Sequence, residues 1–89
     1  EAHRLGIVNR LTKHKDLMVT TMATARQIAR GPTFSMALTK RLVQESLFKE
    51  FSESLELAGP AQDLSRQSTD HKEGVRAFME KRQPLFKGR

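Results

Sequence analysis

Eighty-nine residues without a cysteine exclude a disulfide scaffold and a thiolate metal site, and leave room for one small domain burying only about 60–65% of its unfolded surface. Sixteen Lys and Arg against ten Asp and Glu give a net charge of +6, which favours anionic partners such as nucleic acid, acidic lipid or a phosphorylated cofactor. No apolar run approaches the roughly 18 residues of a membrane span and no secretory h-region is present, so the expectation is a cytoplasmic protein with no membrane partner.

Glu1-Ala2-His3-Arg4-Leu5-Gly6 reads as the last turn of a helix with Gly6 in the left-handed C′ position, so the chain is expected to be cut rather than complete. Ile7–Leu11 follows as one short strand, its β-branched Ile7 and Val8 set after a glycine. A lone strand cannot satisfy its own ladder and needs a sheet from elsewhere. Lys13–Asp16 is a charged connector. Leu17, Met18, Met22, Ala25, Ile28 and Ala29 recur at helical spacing and predict a first helix near 15–30. Gly31 at C′ closes it and Pro32 opens the next. Phe34, Ala37, Leu38, Arg41, Leu42 and Glu45 carry a second helix to about Leu47. A third apolar stripe, Phe48, Phe51, Leu55, Ala58, Ala61 and Leu64, keeps phase across Gly59-Pro60. That predicts one helix kinked at the proline, where the lost bond and ring clash cost roughly 3 kcal/mol. Asp70-x-x-Glu73 reads as a capping box for a fourth helix, with Val75, Phe78, Met79 and Arg82 on one face and Pro84 closing it. The expected fold class is mainly α: one short N-terminal strand and about four helices over a thin core.

His3, His14 and His71 are the only imidazoles, and none has the i,i+4 or HExxH spacing of a metal site. No metal ligand set, Ser-His-Asp order or glycine-rich phosphate loop is visible. Glu45, Glu50, Glu53 and Glu56 lie close together but alternate with Lys and Ser on what reads as a solvated face, where nothing drives two carboxylate pKa values apart. Lys13, Lys15, Lys40, Arg41, Lys81, Arg82, Lys87 and Arg89 either complement helix dipoles, at about 0.3–1 kcal/mol each, or capture phosphates. Phe78 and Phe86 flank the last of these cations, and an aromatic face beside a cation suits a base-plus-phosphate ligand. By spacing alone Phe78 reads as core, in phase with Val75 and Met79.

Three segments, in order, carry a resemblance: Glu1-Ala2-x-x-Leu5-Gly6-Ile7-Val8-Asn9-Arg10; Ala29-x-Gly31-Pro32 with Ala37-Leu38-x-Lys40; and Asp70-His71-x-Glu73-Gly74-x-x-Ala77-Phe78-x-Glu80-Lys81-Arg82, running on to Arg89. Together they resemble the C-terminal part of the enoyl-CoA hydratase/isomerase (crotonase) family. In that family an N-terminal spiral of ββα turns holds the oxyanion hole and the proton-moving acids, and C-terminal helices drive trimerisation, often into hexamers. The resemblance implies that residues 1–14 end the catalytic core, and that 15–89 form the helical oligomerising region. It implies no catalytic residue and no prosthetic group here, with coenzyme A entering as part of an acyl-CoA thioester substrate. Phe78 and Lys81 occupy the positions that in family hydratases reach a neighbouring subunit's CoA, the ring packing on adenine and the lysine pairing with a phosphate. Gly59-Pro60 departs from the family's continuous polar helix.

The leading expectation is thus the assembling, CoA-contacting segment of an acyl-CoA enzyme, a lyase or isomerase of fatty acid metabolism working as a trimer or hexamer. A non-catalytic helical interaction module is the alternative, motivated by the marginal core and the unpaired strand. A basic nucleic-acid-binding module is weaker still, because no recognition helix or interleaved aromatic platform accompanies the charge. Reaction type and acyl specificity are left open by these residues, since fold never sets reaction by itself.

Overall fold

The computed structural model describes residues 1–89: a 3-10 turn, His14–Asp16, then α1 (Leu17–Ala29), α2 (Thr33–Ser46), α3 (Phe51–Gln67) and α4 (Thr69–Met79). No helix is long and apolar enough to cross a membrane. The chain makes a flat slab of 43 × 40 × 18 Å with a radius of gyration of 16.7 Å. A compact chain of this length would have a radius near about 12 Å. The slab is α2 against α3 and α3 against α4, while α1 meets chiefly the 3-10 turn before it.

The N-terminal turn is as its sequence predicts. Gly6 has φ +76°, and Ile7 N–H donates to Ala2 O while Gly6 N–H donates to His3 O, at 3.0 and 3.1 Å. This paired pattern, with glycine in the left-handed position, is the Schellman end of a helix. The strand expected over Ile7–Leu11 does not form; the segment bends at 7–9 and continues irregularly. Its backbone groups find no ladder partner among the helices that follow, so nothing holds it as a strand. The architecture is therefore all-helical.

Gly31 is needed for closeness rather than for a positive φ. A Cβ there would lie 2.9 Å from Met36 Sδ and 3.1 Å from the Ile28 carbonyl. Pro32 precedes the first residue of α2, and its carbonyl accepts Met36 N–H at 3.0 Å. α3 runs as one helix through Gly59-Pro60. Proline withdraws one donor from the carbonyl of Glu56, an exposed residue that water can serve.

The faces differ from the predicted stripes. Half-buried Ser54, Leu57, Ala58, Ala61 and Ser65 line the inner side of α3, facing Leu38 and Leu42 of α2. Ser35 and Ser65 hydroxyls meet across this joint at 2.7 Å. Of the predicted stripe, Ala58 and Ala61 lie in this joint and Leu64 borders it, while Phe51 and Leu55 stay exposed, as does the whole stripe of α1. Only Ser68, Asp70 and Ala77 are buried, and twenty large apolar side chains remain exposed. Exposed apolar side chains in such number, against one buried alanine, mark surface that other chain or other copies would cover.

Candidate functional site

α4 and the tail that folds back along it form the most organised part of the molecule. The predicted capping box is displaced. Ser68, not Asp70, caps α4: its Oγ accepts His71 N–H at 3.0 Å and donates to Ser65 O at 2.6 Å. Asp70, 2% exposed, accepts the backbone N–H groups of Lys87 and Gly88 at 2.6 and 2.8 Å. Asp70 N–H donates to Arg89 O at 3.0 Å, and the Thr69 hydroxyl donates to the same oxygen. The tail thereby satisfies part of what the helix N-terminus lacks. Gly88 has φ +73°, and a Cβ there would lie 2.6 Å from the Thr33 hydroxyl of α2.

Glu73 anchors the tail one turn later. It accepts a bidentate pair from Arg82, Nη1 at 2.6 Å and Nη2 at 3.1 Å, and Leu85 N–H at 2.9 Å. Arg82 Nε also donates to Glu80 at 2.6 Å. The Arg82 hydrogen bonds, then that from Leu85, hold the Glu73 carboxyl down at about 2, against an ordinary 4.5. Its ionised form is favoured by the folded state, so its contribution is complete above about 4.5 and disappears as pH falls through about 2. The Leu85 amide, which reports the folded state, is expected to keep its NMR shift from neutrality through the ordinary 4.5 and to titrate with a midpoint near about 2. Glu73→Gln should give the shifted position at neutral pH. An amide titrating near the ordinary 4.5 would contradict this anchor.

The two sequence-predicted contact residues sit at the far end of α4. The inward positions of this helix are Asp70 and Ala77, and Phe78, expected in the core by spacing, is 82% exposed. Together with Phe86, His71, Val75, Pro32 and Ser35 it lines a cleft of about 370 Å³ between α4, the start of α2 and the tail. Phe86 is half-buried against Gly74, whose missing Cβ would lie 3.5 Å from the ring edge. Spacing along α4 could not reveal Phe86 as a wall of this cleft, because the fold-back of the tail places it there.

Lys81 does not line the cleft. It holds the C′ position of α4 with φ +53°, Lys81 N–H donating to Phe78 O at 3.2 Å and Arg82 N–H to Ala77 O at 3.0 Å. This is the same Schellman end that Gly6 makes, here with a side chain where glycine is favoured. No three His, Asp or Glu side chains come together as a metal-ligand set, and Glu45 is paired with Arg41 Nε at 2.6 Å.

The sequence profile described as "Enoyl-CoA hydratase/isomerase" matches residues 1–89. The 1,2-epoxyphenylacetyl-CoA isomerase of Escherichia coli is 33% identical over 89 residues, all of this chain and 34% of that protein. A probable enoyl-CoA hydratase of Rhodobacter capsulatus is 36% identical over the same length, 35% of its own. A solved enoyl-CoA hydratase structure from Geobacillus kaustophilus superposes with a TM-score of 0.91 at 32% identity, over 99% of this chain and 33% of that one. The chain thus spans about a third of the length of the relatives it matches.

Proposed function

Because this chain belongs to the enoyl-CoA hydratase/isomerase family, we propose that it is the assembling, CoA-contacting segment of an enzyme acting on acyl-CoA thioesters. In this reading residues 1–14 complete a catalytic core, and residues 15–89 supply subunit contacts and a grip on coenzyme A, but no catalytic group. The enzyme is a cytoplasmic homo-oligomer, a trimer or a pair of trimers, serving fatty acid metabolism as a lyase or isomerase.

The observation that carries it is Phe78. A ring 82% exposed, one helical turn before an unpaired lysine, contributes little to this chain's own packing. An adenine stacked on the ring and a phosphate beside Lys81 would give both residues a task. Lys81 supports the reading through its backbone as well. A left-handed residue other than glycine costs about 1–2 kcal/mol, and such strain concentrates where a side chain has work to do.

The test uses the full-length protein. Lys81→Ala and Lys81→Gly should both weaken CoA-ester binding about tenfold at low salt, a difference that shrinks as salt rises. Lys81→Gly alone should raise stability by about 1 kcal/mol, because it relieves the C′ conformation. Affinity unchanged in both variants at every salt concentration would end the assignment of Lys81.

The exposed stripes of α1 and α3 favour assembly over a free-standing module. Phe48 is 93% exposed and Phe51 82% exposed. Surfaces of this kind are interfaces in waiting for other parts of the same protein or for its copies.

A further inference from the structure

The other side of α4 carries a feature that neither packing nor the CoA reading uses. Lys72, Arg76 and Lys87, with Thr69, Asp70 and Glu73, line a cleft of about 250 Å³ between the helix and the tail. Arg76 and Phe78 are two residues apart, roughly 200° around the helix, so this cleft and the Phe78 cleft open on opposite faces.

Both carboxylates in the cleft are already engaged. Asp70 accepts Lys87 and Gly88 N–H, and Glu73 accepts Arg82 twice and Leu85 N–H. The three cations are not. The ion pairs of the molecule are Glu1–Arg4, Arg41–Glu45, Glu73–Arg82 and Glu80–Arg82, and no side-chain hydrogen bond of Lys72, Arg76 or Lys87 accompanies them. Arg76 adds only the smallest of the charge effects on Glu73.

Their placement is also unfavourable by itself. Lys72 is a cation near the N-terminus of α4, the positive end of the helix dipole. Lys72 and Arg76 are like charges at i,i+4, a repulsive pair on one face. Lys87 is added as a third by the tail, whose backbone Asp70 holds at 2.6 Å. An anion in the cleft would turn each of these repulsions into attraction.

We propose that this cleft binds a small phosphorylated anion of the diphosphate class, separate from the coenzyme A contact at Phe78 and Lys81. Lys72, Arg76 and Lys87 outnumber Asp70, the one lining carboxylate without a cation partner, and leave a net positive cleft for a diphosphate. Arg76 supplies a planar fork for one phosphoryl group, and the lysines supply point charges for both. The cleft is local and has no aromatic side chain in its lining, which distinguishes it from a nucleic-acid groove with its stacking platforms.

The test is a titration of the full-length protein with inorganic pyrophosphate at low ionic strength, followed by calorimetry and by backbone amide shifts. The expected result is saturable binding that weakens with salt, with shifts centred on Lys72, Arg76 and Lys87. Arg76→Gln and Lys72→Gln should each weaken it about tenfold, the loss of one charge-assisted contact. Both side chains lie on exposed residues, so both variants should keep the wild-type fold. Lys81→Ala should leave the affinity unchanged. The proposal is overturned by a titration that does not saturate, by binding lost in Lys81→Ala but kept in Arg76→Gln, or by oligonucleotide binding that pyrophosphate does not displace.

Discussion

Replacing Asp70 with alanine should detach the C-terminal tail from α4 and destabilise the full-length protein by about 3 kcal/mol. The magnitude follows from burial. Asp70 is 2% exposed and its two oxygens each take one tail N–H, from Lys87 and Gly88. Truncation removes two charge-assisted bonds and leaves two N–H groups facing the void. Asparagine does little better, since its amide nitrogen sets a donor against a donor. The measurement is native-state hydrogen exchange at the Lys87 and Gly88 amides, which should speed up about a hundredfold in Asp70→Ala. The tail also carries Phe86, a wall of the Phe78 cleft, so ligand affinity at that cleft should fall together with protection. Exchange as slow as in the wild type would show that the tail is held by something other than Asp70.

The second large effect concerns the 89 residues in isolation. They should not behave as a folded monomer. Ala77 is the one apolar side chain that is buried, while twenty large apolar side chains are exposed. Full burial of a large apolar side chain contributes about 1.5–3 kcal/mol, and most of that is forgone at the most exposed of these, Phe48, Phe51, Phe78 and Met79. The radius of gyration of 16.7 Å describes a slab that has not closed around a core. Circular dichroism should report helix without a cooperative thermal transition, and sedimentation should find self-associated species well above 10.1 kDa. A monodisperse 10.1 kDa species with a sharp melt would contradict both the dependence on partners and the assembly role.

Local signals were read well from the residues. Gly6 takes the left-handed φ that a helix end demands, and glycine is the residue that takes it without strain. Four helices lie near their predicted places because apolar periodicity and the break at Gly31-Pro32 depend only on neighbours in sequence, but α4 ends at Met79, closed by Lys81 in the left-handed position before it reaches Arg82 or Pro84. The unpaired strand did not survive, because a strand is a relation between two segments and the second is not among these residues.

Faces and caps were less legible. The predicted stripe Phe48, Phe51, Leu55, Ala58, Ala61 and Leu64 divides: Ala58 and Ala61 join Leu57 and Ser65 at the α2–α3 joint, while Phe48, Phe51 and Leu55 stay exposed. Close helix packing selects small side chains as readily as large ones, so hydrophobicity alone does not say which members of a stripe make the contact. Asp70 and Glu73 have the spacing of a capping box, but their partners are backbone N–H groups 12 to 18 residues downstream. No local pattern announces a contact made by a returning tail.

The order and spacing of its motifs, read without any coordinates, were enough to place this chain in its family, and its helix breaks were legible from neighbouring residues. Those are properties of residues at short separations, where sequence distance and spatial distance coincide. Tertiary structure decided that Phe78 is exposed rather than core, that Phe86 walls its cleft, and that Lys87 joins Lys72 and Arg76. Each of these depends on the tail turning back along α4, and that turn is held by the two acids of one helix reading the backbone of a distant segment. A periodic pattern says that a face is apolar or charged; only packing says what lies against it.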